Sequence, residues 1–132
     1  DMLEVTPNYQ YITPDELKTK IEAKEDMLLL SVQTKDSYKE DGHLHGSIET
    51  KAYPANTEDL RKRLDKVTDK LTENDLPIYV MCMEGKGGAE NAISYYVNEK
   101  KIDQTRFYII EGGIKGWPFP EMLESSKTEA EE

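Results

Sequence analysis

The sequence predicts an α/β fold in which one layer of parallel strands lies between two layers of helices. Three observations carry that expectation. Apolar runs at 27–32 (MLLLSV), 76–82 (LPIYVMC) and 106–111 (RFYIIE) are continuous rather than alternating, which suits strands buried on both faces. Segments with helical periodicity separate them, so the strands need crossover connections and run parallel. The chain has 132 residues, enough for one domain with a real core, and shows no internal repeat.

The elements follow in order. Residues 1–10 (DMLEVTPNYQ) lack periodicity and form a lead-in segment, and the domain proper occupies 11–120. In ITPDEL, Thr13 is placed to cap a helix, Pro14 fits its first position and Glu16 completes a capping box. Leu17 and Ile21 share a face of that helix, which should end near Lys24. After the strand at 27–32, TKDSYKE suits a short helical turn capped by Thr34, and GHLHGSIE a loop leading into a second short strand.

NTEDLRKRLDKVTDKL, residues 56–71, reads as one helix capped by Asn56 or Thr57, with Leu60, Leu64, Val67 and Leu71 on one stripe. The strand LPIYVMC is followed by the helix GGAENAISYYVNEKK, which turns Ala89, Ala92, Ile93, Tyr96 and Val97 inward. RFYIIE is the last strand and GGIKGW a turn. Residues 121–132, ending SSKTEAEE, form an acidic tail expected to be disordered.

Charge narrows the function. Net charge is −10, a field that repels phosphate backbones and anionic lipid, so no nucleic-acid or membrane partner is expected. No apolar run approaches the ~20 residues of a membrane span. The chain begins with Asp rather than Met, as expected of a processed or trimmed product. The compartment therefore stays open between cytoplasm and export after signal removal. A soluble monomer is expected.

Chemistry concentrates in VMCMEGKGGAE, residues 80–90. Cys82 is the only cysteine and stands at the carboxyl end of its strand, where open parallel sheets bind ligands. The helix that follows points unpaired N–H groups and its positive dipole end back at the loop. Gly85, Gly87 and Gly88 clear side chains from the site and permit positive φ, so that amides can converge on an anion. Lys86 favours a thiolate there and Glu84 opposes it. Two readings stand: Cys82 as a nucleophile in an anion-stabilising loop, or Cys82 as a small buried side chain.

The remaining constellations are weaker. His43 and His45, with Asp41 and Glu49 nearby, fall short of a metal site and read as loop histidines. Trp117 is expected to pack its turn onto the domain, and Gly112 and Gly113 to serve backbone conformation near the rim. The basic run at 61–63 reads as a solvated helix face.

Four segments in order, ITPDEL, LLLSVQTKDSYKEDGHLHGSI, PIYVMCMEGKGGA and YIIEGGIKGW, resemble the single-domain rhodaneses and rhodanese-like sulfurtransferases across about residues 11–120. The resemblance implies a central parallel sheet flanked by helices on both faces. It also implies a Cys82 that takes a sulfane sulfur from thiosulfate or a persulfide or polysulfide donor. That sulfur then passes to a thiol or to cyanide. Met83, Glu84, Gly85, Lys86, Gly87 and Gly88 would form the anion-binding loop, with no metal or organic cofactor.

Four positions depart from the family's pattern. Ser31 and Gln33 replace a common buried charge pair, while Met83 and Gly87 stand where basic residues are frequent. Thiosulfate is therefore expected to be a poor donor. Phosphatases on the same fold grip phosphate with an arginine that would fall at residue 88, here Gly88, and a phosphate dianion binds poorly without it. The alternative of a different class is a non-catalytic rhodanese-like binding or regulatory module.

Overall fold

A computed structural model describes residues 6–126. Residues 1–5 of the expected lead-in and 127–132 of the expected tail lie outside the described residues. The lead-in runs alongside the segment entering the last sheet strand, where the Gln10 side-chain amide donates to the carbonyls of Thr105 and Phe107, each at 3.0 Å.

β1 (Tyr11–Ile12) enters α1 (Pro14–Glu22) through the capping box expected from sequence. The Thr13 hydroxyl accepts the Glu16 N–H at 3.1 Å, and the Glu16 carboxylate accepts the Thr13 N–H at 2.9 Å. β2 (Leu28–Ser31) leads to α2 (Lys35–Glu40), capped by Thr34. Two short strands follow, β3 (His43–Leu44) and β4 (Ile48–Glu49). Then come α3 (Glu58–Asp65), α4 (Thr68–Thr72), β5 (Ile78–Met81), α5 (Gly87–Lys100) and β6 (Phe107–Ile110).

Five strands form one parallel sheet in the order β1-β6-β5-β2-β4. β5 is therefore the middle strand, and Cys82 follows it directly. Its four residues are all buried, which explains the unbroken apolar run. Ile78 and Val80 face a core built with Leu64, Leu71, Ala92 and Tyr96. Tyr79 and Met81 face the opposite core, with Leu17, Ile110 and Trp117.

The single helix expected over 56–71 is corrected to two. Thr57 caps α3, but the helix ends at Asp65 and Val67 restarts the chain with no side-chain cap. The Thr68 hydroxyl donates to the Leu64 carbonyl at 3.2 Å, a local bond that competes with helix continuation at a pair of β-branched residues. Leu64, Val67 and Leu71 stay buried across the break, while Leu60 is only half-buried. Within the segment read as tail, Leu123–Glu124 forms β7, which pairs antiparallel with β3.

Candidate active site

The site is built from main chain. Cys82 is 1% exposed, and its Sγ accepts the N–H of Gly85 at 3.1 Å. A second turn, residues 111–116, grips the same loop. The Ile114 N–H donates to the Cys82 carbonyl at 2.8 Å and the Lys115 N–H to the Met83 carbonyl at 3.0 Å.

Two glycines allow this contact. Gly85 takes φ +77, and a Cβ there would lie 2.6 Å from the Gly112 nitrogen and 2.8 Å from the Ile110 carbonyl oxygen. Gly113 takes φ +59, and its Cβ would lie 2.6 Å from the Glu84 nitrogen. The two turns nest more closely than side chains would permit.

Of the three loop glycines only Gly85 uses the positive φ that all three permit; Gly87 and Gly88 open α5, where the sequence places the start of the helix. They differ in surroundings. A Cβ on Gly87 meets nothing within 4 Å, whereas one on Gly88 would lie 2.5 Å from the Tyr53 ring and 3.4 Å from Cys82 Cβ. Tyr53 is thus a wall of the site that sequence reading missed, because its loop approaches from β4. The 14-residue α5 starts after Lys86, which gives it no side-chain cap, so its first N–H groups face the loop unclaimed by a cap. Met83 packs half-buried on the second core, while Glu84 and Lys86 are exposed.

The sequence pattern of the rhodanese-like domain matches residues 13–118. The chain belongs to the rhodanese-like domain family. No curated protein matches it. Among solved structures it is similar to a rhodanese-like domain protein from Staphylococcus aureus, at 24% identity and TM-score 0.59, covering 88% of this chain and 97% of that one. It is also similar to a yeast protein tyrosine phosphatase of the rhodanese family, at 17% identity and TM-score 0.60, covering 83% and 84%. A thiosulfate sulfurtransferase from Pseudomonas aeruginosa matches at 16% identity and TM-score 0.63, covering 89% of this chain but 20% of that longer one. At these identities the likenesses establish the rhodanese fold.

This rhodanese-like domain fills the place of the family's common buried charge pair with neutral groups. The Gln33 side chain accepts from the Ser31 hydroxyl at 2.8 Å, and donates to the Ser37 hydroxyl at 3.0 Å and the Gly42 carbonyl at 3.1 Å. Every polar atom of that side chain is partnered without a buried charge to desolvate.

The histidines do not form a metal centre; among the described residues no cluster could hold one. Instead both reach Glu124 on β7, His45 Nδ1 at 2.6 Å and His43 Nε2 at 3.6 Å. The His45 hydrogen bond, and then the histidine charges, hold the Glu124 carboxyl below its ordinary range. Trp117 is a packing residue, buried, with its indole N–H donated to the Phe119 carbonyl at 2.9 Å. Arg61, Lys62 and Arg63 are exposed, as a solvated face requires. Among the described residues no helix is long and apolar enough to cross a membrane.

Proposed function

We propose that this rhodanese-like domain is a sulfurtransferase that carries a sulfane sulfur on Cys82. The observation behind the reading is the Gly85 N–H donated to Cys82 Sγ at 3.1 Å inside a loop clamped by a second turn. Main-chain donors held in that way stabilise a sulfur anion without reorganising. The Cys82 thiolate attacks the outer sulfur of the donor. The donor's S–S bond breaks, its remainder leaves with the electron pair, and Cys82 becomes a persulfide. A thiolate or cyanide then attacks the outer sulfur, and Cys82 departs as thiolate.

The loop carries one cation, Lys86, against one carboxylate, Glu84, both exposed. That balance suits a persulfide or polysulfide monoanion better than dianionic thiosulfate. An arginine at residue 88 would collide with Tyr53, which disfavours phosphate-ester chemistry.

The test is intact-protein mass spectrometry after incubation with thiosulfate, polysulfide or a small persulfide. One sulfur atom should be gained, cyanide should remove it, and Cys82→Ser should abolish the gain. If no donor loads the wild-type protein, the reading fails. The non-catalytic module would then stand, favoured by a thiol that is 1% exposed.

A further inference from the structure

In a chain of net charge −10, four cations converge on one cleft of about 410 Å³. Lys35 stands at the start of α2, Lys51 follows β4, and Arg63 and Lys66 come from the end of α3. One carboxylate, Glu49, shares the cleft. None of the four cations forms an ion pair among the described residues, although acidic side chains outnumber basic ones by 27 to 17. Arg63 is fixed in place: its Nη1 donates to the Lys51 carbonyl at 2.7 Å. Lys51 itself holds φ +59, a left-handed conformation that glycine or asparagine adopts more readily.

The cleft opens at the same end of the sheet as Cys82. β2 alone separates β4 from β5, so the ends of those two strands lie about 10 Å apart at ordinary strand spacing. The link is covalent as well: Tyr53, the wall beside Gly88, lies two residues beyond Lys51. The Cys82 loop itself has no cation at Gly87, whereas this cleft gathers four.

We propose that this cleft is an anion-binding site that anchors the charged end of an extended sulfur carrier. The carrier is a thiol or persulfide whose carboxylate or phosphate groups lie at least about 10 Å from its sulfur, the span of the two strand spacings between the ends of β4 and β5. The size of the cleft suits a small ligand rather than a macromolecular surface. The anion site stands on its own geometry, whereas the carrier's role rests on sulfur transfer at Cys82. In that role the carrier's thiolate attacks the outer persulfide sulfur, a new S–S bond forms on the carrier, and Cys82 leaves as thiolate.

The first arm is calorimetric titration with citrate and with pyrophosphate, carboxylate and phosphate probes of the same site. Wild-type protein should bind at least one of them. The double variant Lys51→Glu/Lys66→Glu should bind at least tenfold more weakly, and Lys51→Gln/Lys66→Gln serves if the charge reversal misfolds. Equal binding by variant and wild type, or no binding of either probe, overturns the site.

The second arm compares sulfur transfer from persulfidated protein to glutathione, which carries carboxylates, and to uncharged 2-mercaptoethanol. The half-saturating concentration of glutathione should rise at least fivefold in the variant while that of 2-mercaptoethanol stays constant. Parallel shifts, or none, overturn the anchoring role. If the wild-type protein never loads sulfur, the transfer reading falls and the carrier role with it, while the titrations still judge the anion site.

Discussion

Replacing Gly85 by alanine tests whether the Cys82 loop depends on two nested turns. The new Cβ would lie 2.6 Å from the Gly112 nitrogen, 2.8 Å from the Ile110 carbonyl oxygen and 3.0 Å from the Gly113 nitrogen. All three are backbone atoms that cannot swing aside. Holding an L-residue in the left-handed region costs about 1–2 kcal/mol. Forcing packed groups apart costs about 1–3 kcal/mol more. The expected loss is about 2–5 kcal/mol, a large part of a typical stability of about 5–15 kcal/mol.

Gly87→Ala is the internal control, since its Cβ meets nothing within 4 Å and its backbone is helical. There alanine should stabilise by about 0.4–1 kcal/mol, through a less flexible unfolded chain. Urea unfolding followed by circular dichroism reads the difference. The resulting gap of about 2.4–6 kcal/mol, with a slope of about 1.5 kcal/mol/M, separates the two midpoints by about 1.6–4 M. Gly85→Ala should also lose sulfur loading, because the Gly85 N–H moves away from Cys82 Sγ. Coincident midpoints would refute the nested-turn account.

Gly87→Arg places a cation in the open space beside the loop, and should raise the rate of loading from thiosulfate several-fold without lowering the melting temperature. An unchanged rate with a stably folded variant would show that a missing loop cation is not what limits thiosulfate. Glu124 makes a pH-dependent contribution to the β3–β7 pair. Its carboxyl is depressed in the folded state, so the stabilisation is present above its ordinary value of 4.5 and is lost as pH falls through the lower folded value. Glu124→Gln should flatten that acid limb of a melting-temperature profile, and an unchanged limb would remove the carboxylate from the account.

Much of the fold was legible because its signals were local. The Thr13–Glu16 capping box, the buried run ending at Cys82 and the helix after the glycines each lie within a few consecutive residues. The break at Val67 was not legible, because an apolar stripe of helical period continues through it and only the Thr68 hydroxyl bond marks the restart. β7 was hidden for another reason: two residues pairing with His43 and Leu44 leave no periodicity to read. At the site, the sequence pointed to Cys82 and to glycines that permit close approach. It placed Gly87 and Gly88 at the start of a helix, but did not tell that Gly85 and Gly113 face one another. Tyr53 and the four cleft cations come from separate segments, and only the topology assembles them.

The contact between Gly88 and Tyr53 closes residue 88 to side chains. A first added carbon there would sit 2.5 Å from the aromatic ring and 3.4 Å from Cys82 Cβ, so any larger residue must displace the ring before it reaches the thiol. One tyrosine from a distant loop thus dictates which residue can stand at the first turn of α5.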